Sequence, residues 1–313
     1  MKVLIELPSW LGDTVMLTPA IENIVSASKN VRLYLISYGN IGDLFIEHPN
    51  VEFVIKTKKN IRNSLSLIKE LNLSFDIFLS FRSSYRSTIL KFFVPAKKKY
   101  QYSKRKYSFG HQVEKYNKFV NDALETSFPA GNLKIYSSSI ILKNSKSVLG
   151  INPGSAFGEA KCWPPDKFSK LAISLAEKFD IVIFGGKNDI PRANLIEKKI
   201  AKKGVKNLKN LAGKTTINDL VNGISNLDLF ITGDSGPMHI AAAFQIPTIS
   251  IFGPTKSDET SPWRNPNSLI MKRDLECQPC MKRTCPLGHH QCMNEIKYQD
   301  VIKKSLSLLS NAN

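Results

Sequence analysis

The sequence lacks any apolar run long enough to cross a bilayer. Its longest runs, such as FDIFLSF and IPTISIF, fall far short of the about 20 residues that a membrane-spanning helix needs. The first residues, MKVLIEL, are followed at once by Pro8 and Gly12, which leaves no room for the apolar core of a signal peptide. We therefore expect a protein of the cytoplasm.

Two common nucleotide-binding patterns are also absent. The sequence contains neither the glycine pattern GxGxxG nor the loop GxxxxGK[ST], which disfavours a nicotinamide-dependent enzyme and a P-loop kinase. Cysteine is scarce as well. The chain has five cysteines, and four of them lie between residues 277 and 292. In a cytosolic protein this distribution does not predict a disulfide framework.

Acidic residues are few: 26 of them face 44 basic ones, for a formal net charge of +18. Residues 1–147 hold 22 basic and 11 acidic side chains, and the segment from Arg82 to Lys106 holds nine basic and no acidic ones. Such a surface attracts polyanions, whether nucleic acid, anionic lipid headgroups or a phosphorylated glycolipid. Charge alone does not choose among them, and solvated surface lysines account for part of the excess.

What the sequence does contain is an alternation of buried strands and helices, which predicts α/β domains with parallel sheets. KVLIEL, RLYLIS and FDIFLSF are typical strands of a first sheet, and KSVLGIN, DIVIFGG, LDLFITG and IPTISIF of a second. The chain is long enough for two domains, 1–147 and 148–313, with the Ser- and Lys-rich segment 137–147 as linker. A last helix is predicted near 298–309, and it is a candidate to pack back on the first domain.

Ligands bind at the carboxyl ends of the strands in such sheets, so the loops there hold the candidate site residues. The first loop, in PSWLGDTVMLTPA, places Asp13 between strand KVLIEL and a helix that we expect to begin near Thr18. A carboxylate there is suited to take a proton from an attacking hydroxyl. A purely structural loop or capping carboxylate explains it equally well.

The second loop, in GINPGSAFGEAKCWPPDKF, is rich in small residues. Gly154, Ser155 and Gly158 let backbone N–H groups approach a phosphate closely, and Lys161 supplies a positive charge for a diphosphate. The alternative for Lys161 is an ordinary surface lysine.

The third loop, in ITGDSGPMHIAAA, joins a strand to a helix that begins near Pro237. The N–H groups of Ser235, Gly236 and Met238 and the helix dipole form an anion site. Asp234 is suited to hold sugar hydroxyls, or else caps the helix. His239 lies one turn inside the helix, where phosphate contact and core packing are both open.

Two further loops supply weaker candidates. Asp189, in GGKND, is able to bind a ribose diol, and Thr215, in LAGKTT, is placed to line a nucleobase.

The C-terminal cysteines are the last candidates: Cys277, Cys280, Cys285 and Cys292 follow the pattern C-x2-C-x4-C-x6-C. Four thiolates so close together are compatible with a structural zinc ion, whereas their irregular spacing is equally compatible with free or partly oxidised thiols.

Taken together, the loops resemble those of the ADP-heptose:lipopolysaccharide heptosyltransferases of glycosyltransferase family 9, in particular the heptosyltransferase II type. The resemblance extends over almost the whole chain and rests on PSWLGD, PGSAFGEAKCWP, LAGKTT, GDSGPMHIAAA and PTISIFGPT. It implies a GT-B fold, in which two Rossmann-like domains face a central cleft. It also implies an inverting, metal-independent transfer of L-glycero-D-manno-heptose from ADP-heptose to the heptosyl-Kdo-lipid A inner core.

By the same resemblance, Asp13 matches the catalytic base and Lys161 the lysine that binds the diphosphate. Asp234 matches a contact to the donor sugar, Ser235 and Gly236 match the phosphate-binding turn, and Asp189 matches a ribose contact within one residue. An acceptor-binding role falls on three residues of SFRSSYRS: Arg82, Ser84 and Arg86. The phosphorylated acceptor, at the cytoplasmic face of the inner membrane, implies peripheral contact with that anionic surface.

The alternatives are a related transferase that uses another sugar or core position, a GT-B-like sugar epimerase and, from another class, a basic nucleic-acid-binding protein. No nucleic-acid-binding motif accompanies the positive charge, and the basic residues show little interleaving with aromatic ones. We therefore expect no nucleic acid partner, and the sequence does not indicate an oligomeric state.

Overall fold

The computed structural model describes residues 1–58, 60–138 and 146–311. By its internal contacts the chain separates into two compact units, Met1–Ser138 and Ser139–Asn313. The linker predicted at 137–147 lies largely outside the described residues. No helix in the described part of the chain is both long and apolar enough to cross a membrane.

Unit 1 is a parallel sheet with helical connections. Its strands are β1 (Lys2–Glu6), β2 (Arg32–Tyr38), β3 (Val51–Thr57), β4 (Phe75–Ser80) and β5 (Ala96–Gln101). Its helices are α1 (Leu11–Met16), α2 (Thr18–Ser26), α3 (Ile61–Glu70), α4 (Tyr85–Phe93) and α5 (Gln112–Leu124). The strand order is β3-β2-β1-β4-β5, so β1, whose residues 3–6 are buried, lies at the centre.

Unit 2 is also a parallel sheet with helical connections. Its six strands lie in the order β11-β10-β9-β6-β7-β8. These strands are β6 (Ser147–Asn152), β7 (Phe179–Ile183), β8 (Leu208–Asn210), β9 (Leu229–Gly233), β10 (Thr248–Ile251) and β11 (Ser268–Met271). The helices are α6 (Pro165–Leu175), α7 (Ile190–Ala201), α8 (Ile217–Ser225), α9 (Gly236–Ala243), α10 (Ser257–Thr260), α11 (Gln291–Asn294) and α12 (Tyr298–Asn311). The last helix, α12, packs on α6, β10 and β11 of its own unit.

The core of unit 2 holds the loop after β6 firmly. Trp163 is 1% exposed, packs edge-on against Phe168 and donates from Nε1 to the carbonyl oxygen of Ile296 at 3.1 Å. Truncation of a buried tryptophan to alanine costs about 3–5 kcal/mol. This anchor fixes the chain directly after Lys161.

The α/β class and the parallel sheets expected from the sequence are confirmed. Four strands went unpredicted: β3, β5, β8 and β11. All lie at or next to the edges of their sheets, where strands are less apolar than in the centre.

Candidate functional site

Each sheet has one switch point, where the connections leave in opposite directions from two neighbouring strands. In unit 1 this point lies between β1 and β4, and in unit 2 between β6 and β9. Open parallel sheets bind ligands beyond the carboxyl ends of the strands at such points. Asp13 follows β1 and Arg82 follows β4, while Lys161 follows β6 and Asp234 follows β9.

Asp13 lies in the first turn of α1, not in an open loop as we predicted from the sequence. The helix expected to begin near Thr18 is confirmed as α2, whereas the short helix α1 before it was not predicted. Gly12 and Asp13 are typical of turns, but here they are accommodated at the N-terminus of α1. A carboxylate is favoured there by the helix dipole. The Asp13 side chain is half-buried, and its Oδ1 accepts a hydrogen bond from the Tyr116 hydroxyl at 3.3 Å.

Tyr116 keeps its proton for this bond. Burial, helped by the nearby negative charge of Asp13, raises the pKa of Tyr116 well above 10. The phenol therefore stays a donor at neutral pH and fixes one oxygen of the carboxylate. A carboxylate fixed at one oxygen and half-accessible is suited to accept a proton from a substrate hydroxyl.

A second carboxylate, Glu6 at the end of β1, is fully buried. It accepts hydrogen bonds from three hydroxyl groups: Tyr38 at 2.7 Å, Ser80 at 2.5 Å and Ser87 at 3.0 Å. Its charge is thereby satisfied internally, so we assign it a structural role in tying β1, β2, β4 and α4 together.

Arg82 extends from this network. Its Nε lies 3.8 Å from Oε1 of Glu6, and its guanidinium lies 4.3 Å from the centre of the Tyr38 ring. Among the described residues, its buried Nη1 has no hydrogen-bond partner. The arginine is thus held by Glu6 and Tyr38, and it keeps a donor that no acceptor of the described residues satisfies.

The other two residues predicted to bind an acceptor differ from Arg82. Ser84 is the N-cap of α4, and its Oγ accepts a hydrogen bond from the backbone N–H of Ser87 at 3.3 Å. Arg86 is exposed on the first turn of α4. Ser84 therefore has a structural task in addition to any ligand contact.

In unit 2, Lys161 and Asp234 form an ion pair. Nζ of Lys161 lies 2.5 Å from Oδ2 of Asp234, and the two side chains are only 13% and 6% exposed. The hydroxyl of Thr255, which follows β10, donates to the same Oδ2 at 2.6 Å. Lys161 is thus not an ordinary surface lysine, because an acidic partner holds it at the switch point.

The turn after β9 partly matches the predicted anion site. Ser235, not Asp234, is the N-cap of α9, so the capping alternative for Asp234 was wrong. The N–H of Met238 donates to the carbonyl oxygen of Ser235 at 3.1 Å, which removes it from the predicted set of anion donors. The Ser235 hydroxyl is held by Asn152 at 3.2 Å and Thr232 at 3.1 Å, beside the start of the helix.

Asp189 reaches the loop after β6. Its Oδ2 accepts a hydrogen bond from the N–H of Gly186 at 2.8 Å. A Cβ atom at Gly154 would lie 2.0 Å from this carboxylate, so only glycine fits at 154. The sequence placed Gly154 among the phosphate-binding residues, whereas the structure shows that it makes room for Asp189.

The remaining nucleotide candidates are placed as follows. Ser155 accepts from the N–H of Phe157 at 3.3 Å in the loop after β6. Thr215 directly precedes Thr216, the N-cap of α8, which forms a capping box with Asp219. His239 is buried, with 2% exposure, in α9.

The four C-terminal cysteines line one small cavity together with His289 and His290. All four thiols are reduced. In the described ranges no group of three or more His, Cys, Asp or Glu side chains is arranged to hold a metal ion. The geometry therefore does not support the predicted zinc site as it stands.

The cysteine-rich segment, residues 277–292, nevertheless contacts and stabilises the loop that carries Lys161. The N–H of Ala160 donates to the carbonyl oxygen of Arg283 at 3.0 Å, and Nε2 of His290 lies 2.9 Å from the carbonyl oxygen of Ala160. A Cβ atom at Gly158, where φ is +149°, would lie 2.6 Å from the same Arg283 oxygen. Residues 283–290 thus fix the backbone on the N-terminal side of Lys161.

Sequence reasoning missed Glu6, Asn152 and Thr255. Glu6 stands alone among apolar residues of a strand predicted to be buried, and that isolation was an available signal, because a buried carboxylate needs partners. Thr255 is the last residue of the quoted motif PTISIFGPT, four residues after β10 ends. Asn152 ends β6 and carried no signal beyond its position.

The model of Glycosyltransferase family 9 (heptosyltransferase) matches residues 64–291. The sequence is 41% identical to lipooligosaccharide heptosyltransferase 2 of Campylobacter jejuni serotype O:2, covering 100% of this chain and 99% of that protein.

Solved structures of heptosyltransferases have the same fold as this chain. The structure of E. coli ADP-heptose lps heptosyltransferase II matches with a TM-score of 0.82 and 22% identity, over 100% of this chain and 99% of that one. E. coli heptosyltransferase WaaC with ADP matches with a TM-score of 0.78 and 16% identity, over 98% and 100%. These likenesses confirm the GT-B fold class, with its two parallel-sheet α/β domains.

Proposed function

This chain belongs to glycosyltransferase family 9 (heptosyltransferase), and we propose that it transfers L-glycero-D-manno-heptose from ADP-heptose to the heptosyl-Kdo-lipid A inner core of lipopolysaccharide or lipooligosaccharide. The observation that carries the proposal is the full-length similarity to heptosyltransferase 2, combined with a carboxylate at one switch point and a lysine at the other. The place of action is then the cytoplasmic face of the inner membrane.

On the acceptor side, Asp13 is the general base. It accepts the proton of the attacking heptose hydroxyl while Tyr116 holds its other oxygen. Arg82, whose Nη1 has no acceptor among the described residues, binds an anionic group of the phosphorylated acceptor. Ser84 and Arg86 lie beside it at the start of α4.

On the donor side, Lys161 binds the diphosphate together with the turn at Ser235 and Gly236. As the bond from the anomeric carbon to the diphosphate breaks, negative charge accumulates on the departing ADP. The ammonium group and the helix N-terminus stabilise that charge. Asp234, with Thr255 still bound to it, takes donor sugar hydroxyls when Lys161 turns to the phosphates.

The reaction is a single displacement that inverts the anomeric centre, with Lys161 in place of a metal ion. Asp189 and Thr215 take the ribose and base of the nucleotide, and Ser155 supports the phosphate loop. His239 contributes from inside α9, by packing or by phosphate contact.

A structural metal at the four cysteines is a separate proposal, supported by their shared cavity. Zinc would require these side chains to rearrange, since no three of them in the described part of the chain are arranged to hold a metal ion. Metal analysis of the purified protein, with the quadruple Cys→Ser variant as control, tests it. A metal content that is the same in both proteins would reject the site.

The function is tested by incubation of the protein with ADP-heptose and a purified acceptor that carries one heptose. A mass increase of one heptose supports the proposal, and nuclear magnetic resonance of the product establishes the linkage and its inversion. Transfer to an acceptor without heptose, or from another nucleotide sugar, would assign a related transferase instead. Salt-sensitive DNA binding without ADP binding would replace the proposal altogether.

A further inference from the structure

Helix α4 has two apolar faces, and only one of them packs on the protein. Leu90 is buried on the first sheet, beside Val94 just after the helix. On the other face Tyr85, Phe92 and Phe93 are 80%, 75% and 60% exposed. The spacing of residues 85, 89 and 92 aligns them along one side of the helix.

These side chains form one continuous surface. Tyr85, Ile89, Phe92 and Phe93 line a shallow groove together with Thr88, Lys91 and Lys99; we name it the α4 face. Single exposed apolar residues are ordinary on soluble proteins, whereas three large aromatic rings on one short helix are not. The packing of unit 1 does not account for them.

Positive charge surrounds the α4 face. Nζ of Lys99 donates to the carbonyl oxygen of Phe92 at 2.9 Å, which places an ammonium group beside the aromatic rings. Lys98 lies exposed on β5, the edge strand of the sheet, and its neighbour Lys97 is paired with Asp76 at 2.8 Å. Lysines on an edge strand also discourage pairing with another chain, but that purpose does not explain the neighbouring rings.

We propose that the α4 face docks on an anionic phospholipid bilayer. Aromatic side chains favour the interfacial region of a bilayer, and lysines beside them meet the lipid phosphates. The partner follows from charge complementarity, since residues 82–106 contain nine basic and no acidic side chains. A nine-residue helix lies on such a surface and does not cross it.

The docking deepens the proposed function, on which its purpose rests, because a lipid acceptor resides in that bilayer. Arg82 and Ser84, the acceptor candidates, immediately precede Tyr85 at the start of α4. A bilayer at this face brings lipid headgroups to the end of the helix where these residues lie. Vesicle binding itself requires no heptose transfer.

The test is sedimentation of the full-length protein with vesicles of phosphatidylcholine and phosphatidylglycerol in a 3:1 ratio, and with vesicles of phosphatidylcholine alone. Phe92→Ser/Phe93→Ser should lower the partition coefficient on the order of tenfold or more. Each of Lys91→Gln and Lys99→Gln, at lysines that line the groove, should lower it about fivefold, and only on the anionic vesicles. Phe53→Ser is the matched control, because Phe53 is 49% exposed on β3, at the opposite edge of the same sheet.

Transfer to a delipidated core acceptor separates docking from catalysis. Phe92→Ser/Phe93→Ser should transfer at the wild-type rate and melt at the wild-type temperature; if the double variant does not fold, Tyr85→Ser repeats the test with one change. Equal vesicle binding by the wild-type protein and the α4 variants would overturn the proposal. So would a wild-type protein that ignores vesicles and self-associates through this face. Vesicle binding lost in the variants, combined with a wild-type protein that transfers no heptose, would keep the docking and reject the proposed function.

Discussion

Nζ of Lys161 lies 2.5 Å from Oδ2 of Asp234, and the same oxygen accepts the hydroxyl of Thr255. A charge-assisted hydrogen bond within the protein itself thus fixes the lysine at the switch point of the second sheet. If a diphosphate binds Lys161, as we propose, Asp234 keeps the Thr255 hydrogen bond and is not left without a partner. The pair therefore provides a cation that is both oriented and releasable.

Lys161→Ala should weaken ADP binding and also lower the rate of transfer. A hydrogen bond to a charged group contributes about 1.5–3 kcal/mol, so we expect at least a tenfold loss of affinity by calorimetry. Lys146→Ala is the control, because Lys146, just before β6 begins, is a lysine of the same unit whose Nζ donates to the backbone carbonyl of Ala176. Unchanged ADP affinity and turnover in Lys161→Ala would remove this residue from the donor site.

Asp234→Asn distinguishes two roles for the carboxylate. If Asp234 only holds Lys161, the double variant Lys161→Ala/Asp234→Asn should lose no more activity than Lys161→Ala alone. If it also binds the donor sugar, as we propose, the double variant should be slower still, with a higher KM for the donor. Steady-state kinetics of the four proteins in this cycle give the answer.

Asp13→Asn should lower kcat by about 10²–10⁴ and leave ADP affinity unchanged, because general base catalysis accounts for a factor of this size. The amide is isosteric and keeps an oxygen for the Tyr116 hydroxyl. Asp43→Asn is a matched control, since Asp43 follows β2 of the same sheet and pairs with Lys56. An Asp13→Asn protein that retains most of its turnover would exclude Asp13 as the base.

The elements predictable from sequence are the ones whose pattern is local. The central strands β1, β4, β6 and β9 are continuous apolar runs, and every proposed catalytic residue lies in a segment that follows the carboxyl end of one of them. Edge strand β5, AKKKYQ, has no apolar run, because its residues are mostly exposed or half-buried. Its pairing with β4 depends on tertiary contact, which no local pattern reveals.

In the candidate site, too, local features were predictable from the sequence and tertiary contacts were not. The types and loops of Asp13, Lys161 and Asp234 were readable from the sequence, but their partners were not. Tyr116 reaches Asp13 across 103 residues and Lys161 reaches Asp234 across 73. The network of Glu6 likewise joins residues of β2, β4 and α4, so its structural role emerges only once the sheet is assembled.

Glu6→Ala should destabilise unit 1 by about 3 kcal/mol, because three buried hydroxyl groups lose their acceptor and Arg82 loses its neighbouring charge. Urea unfolding followed by circular dichroism measures the change. Glu52→Ala, at an exposed position on β3, is the control and should differ little from the wild type. Equal stability of the two variants would show that the network does not support the fold.

Acid should destabilise unit 1 partly through Glu22. Its partial burial would raise the pKa, but hydrogen bonds and charges from His48 and Lys134 outweigh that effect and lower the pKa from 4.5 to about 2. A depressed pKa in the folded state stabilises the fold above pH 4.5, and this contribution is lost as the pH falls toward 2. Glu22→Gln should therefore lower the melting temperature at pH 6 and flatten its decline between pH 5 and pH 2. An unchanged decline would exclude Glu22 as a source of acid sensitivity.

The cysteines should differ widely in reactivity. Backbone N–H groups, that of His290 foremost, lower the pKa of Cys285, whereas burial raises the pKa of Cys162 and of Cys292 to about 11. The thiolate is the reactive form, so iodoacetamide at pH 7.5 should modify Cys285 well before the two buried thiols. Peptide mass spectrometry after short exposures gives the order of modification.

The same labelling experiment connects the cysteines with the donor site. Because residues 283–290 fix the backbone beside Lys161, modification of Cys285 should weaken ADP binding more than the Cys285→Ser substitution, which adds no bulk. A bound metal ion would protect Cys277, Cys280, Cys285 and Cys292 together, and a chelator would then restore the labelling of Cys285. Rapid modification of Cys285 with ADP affinity unaltered would show that this segment does not position Lys161.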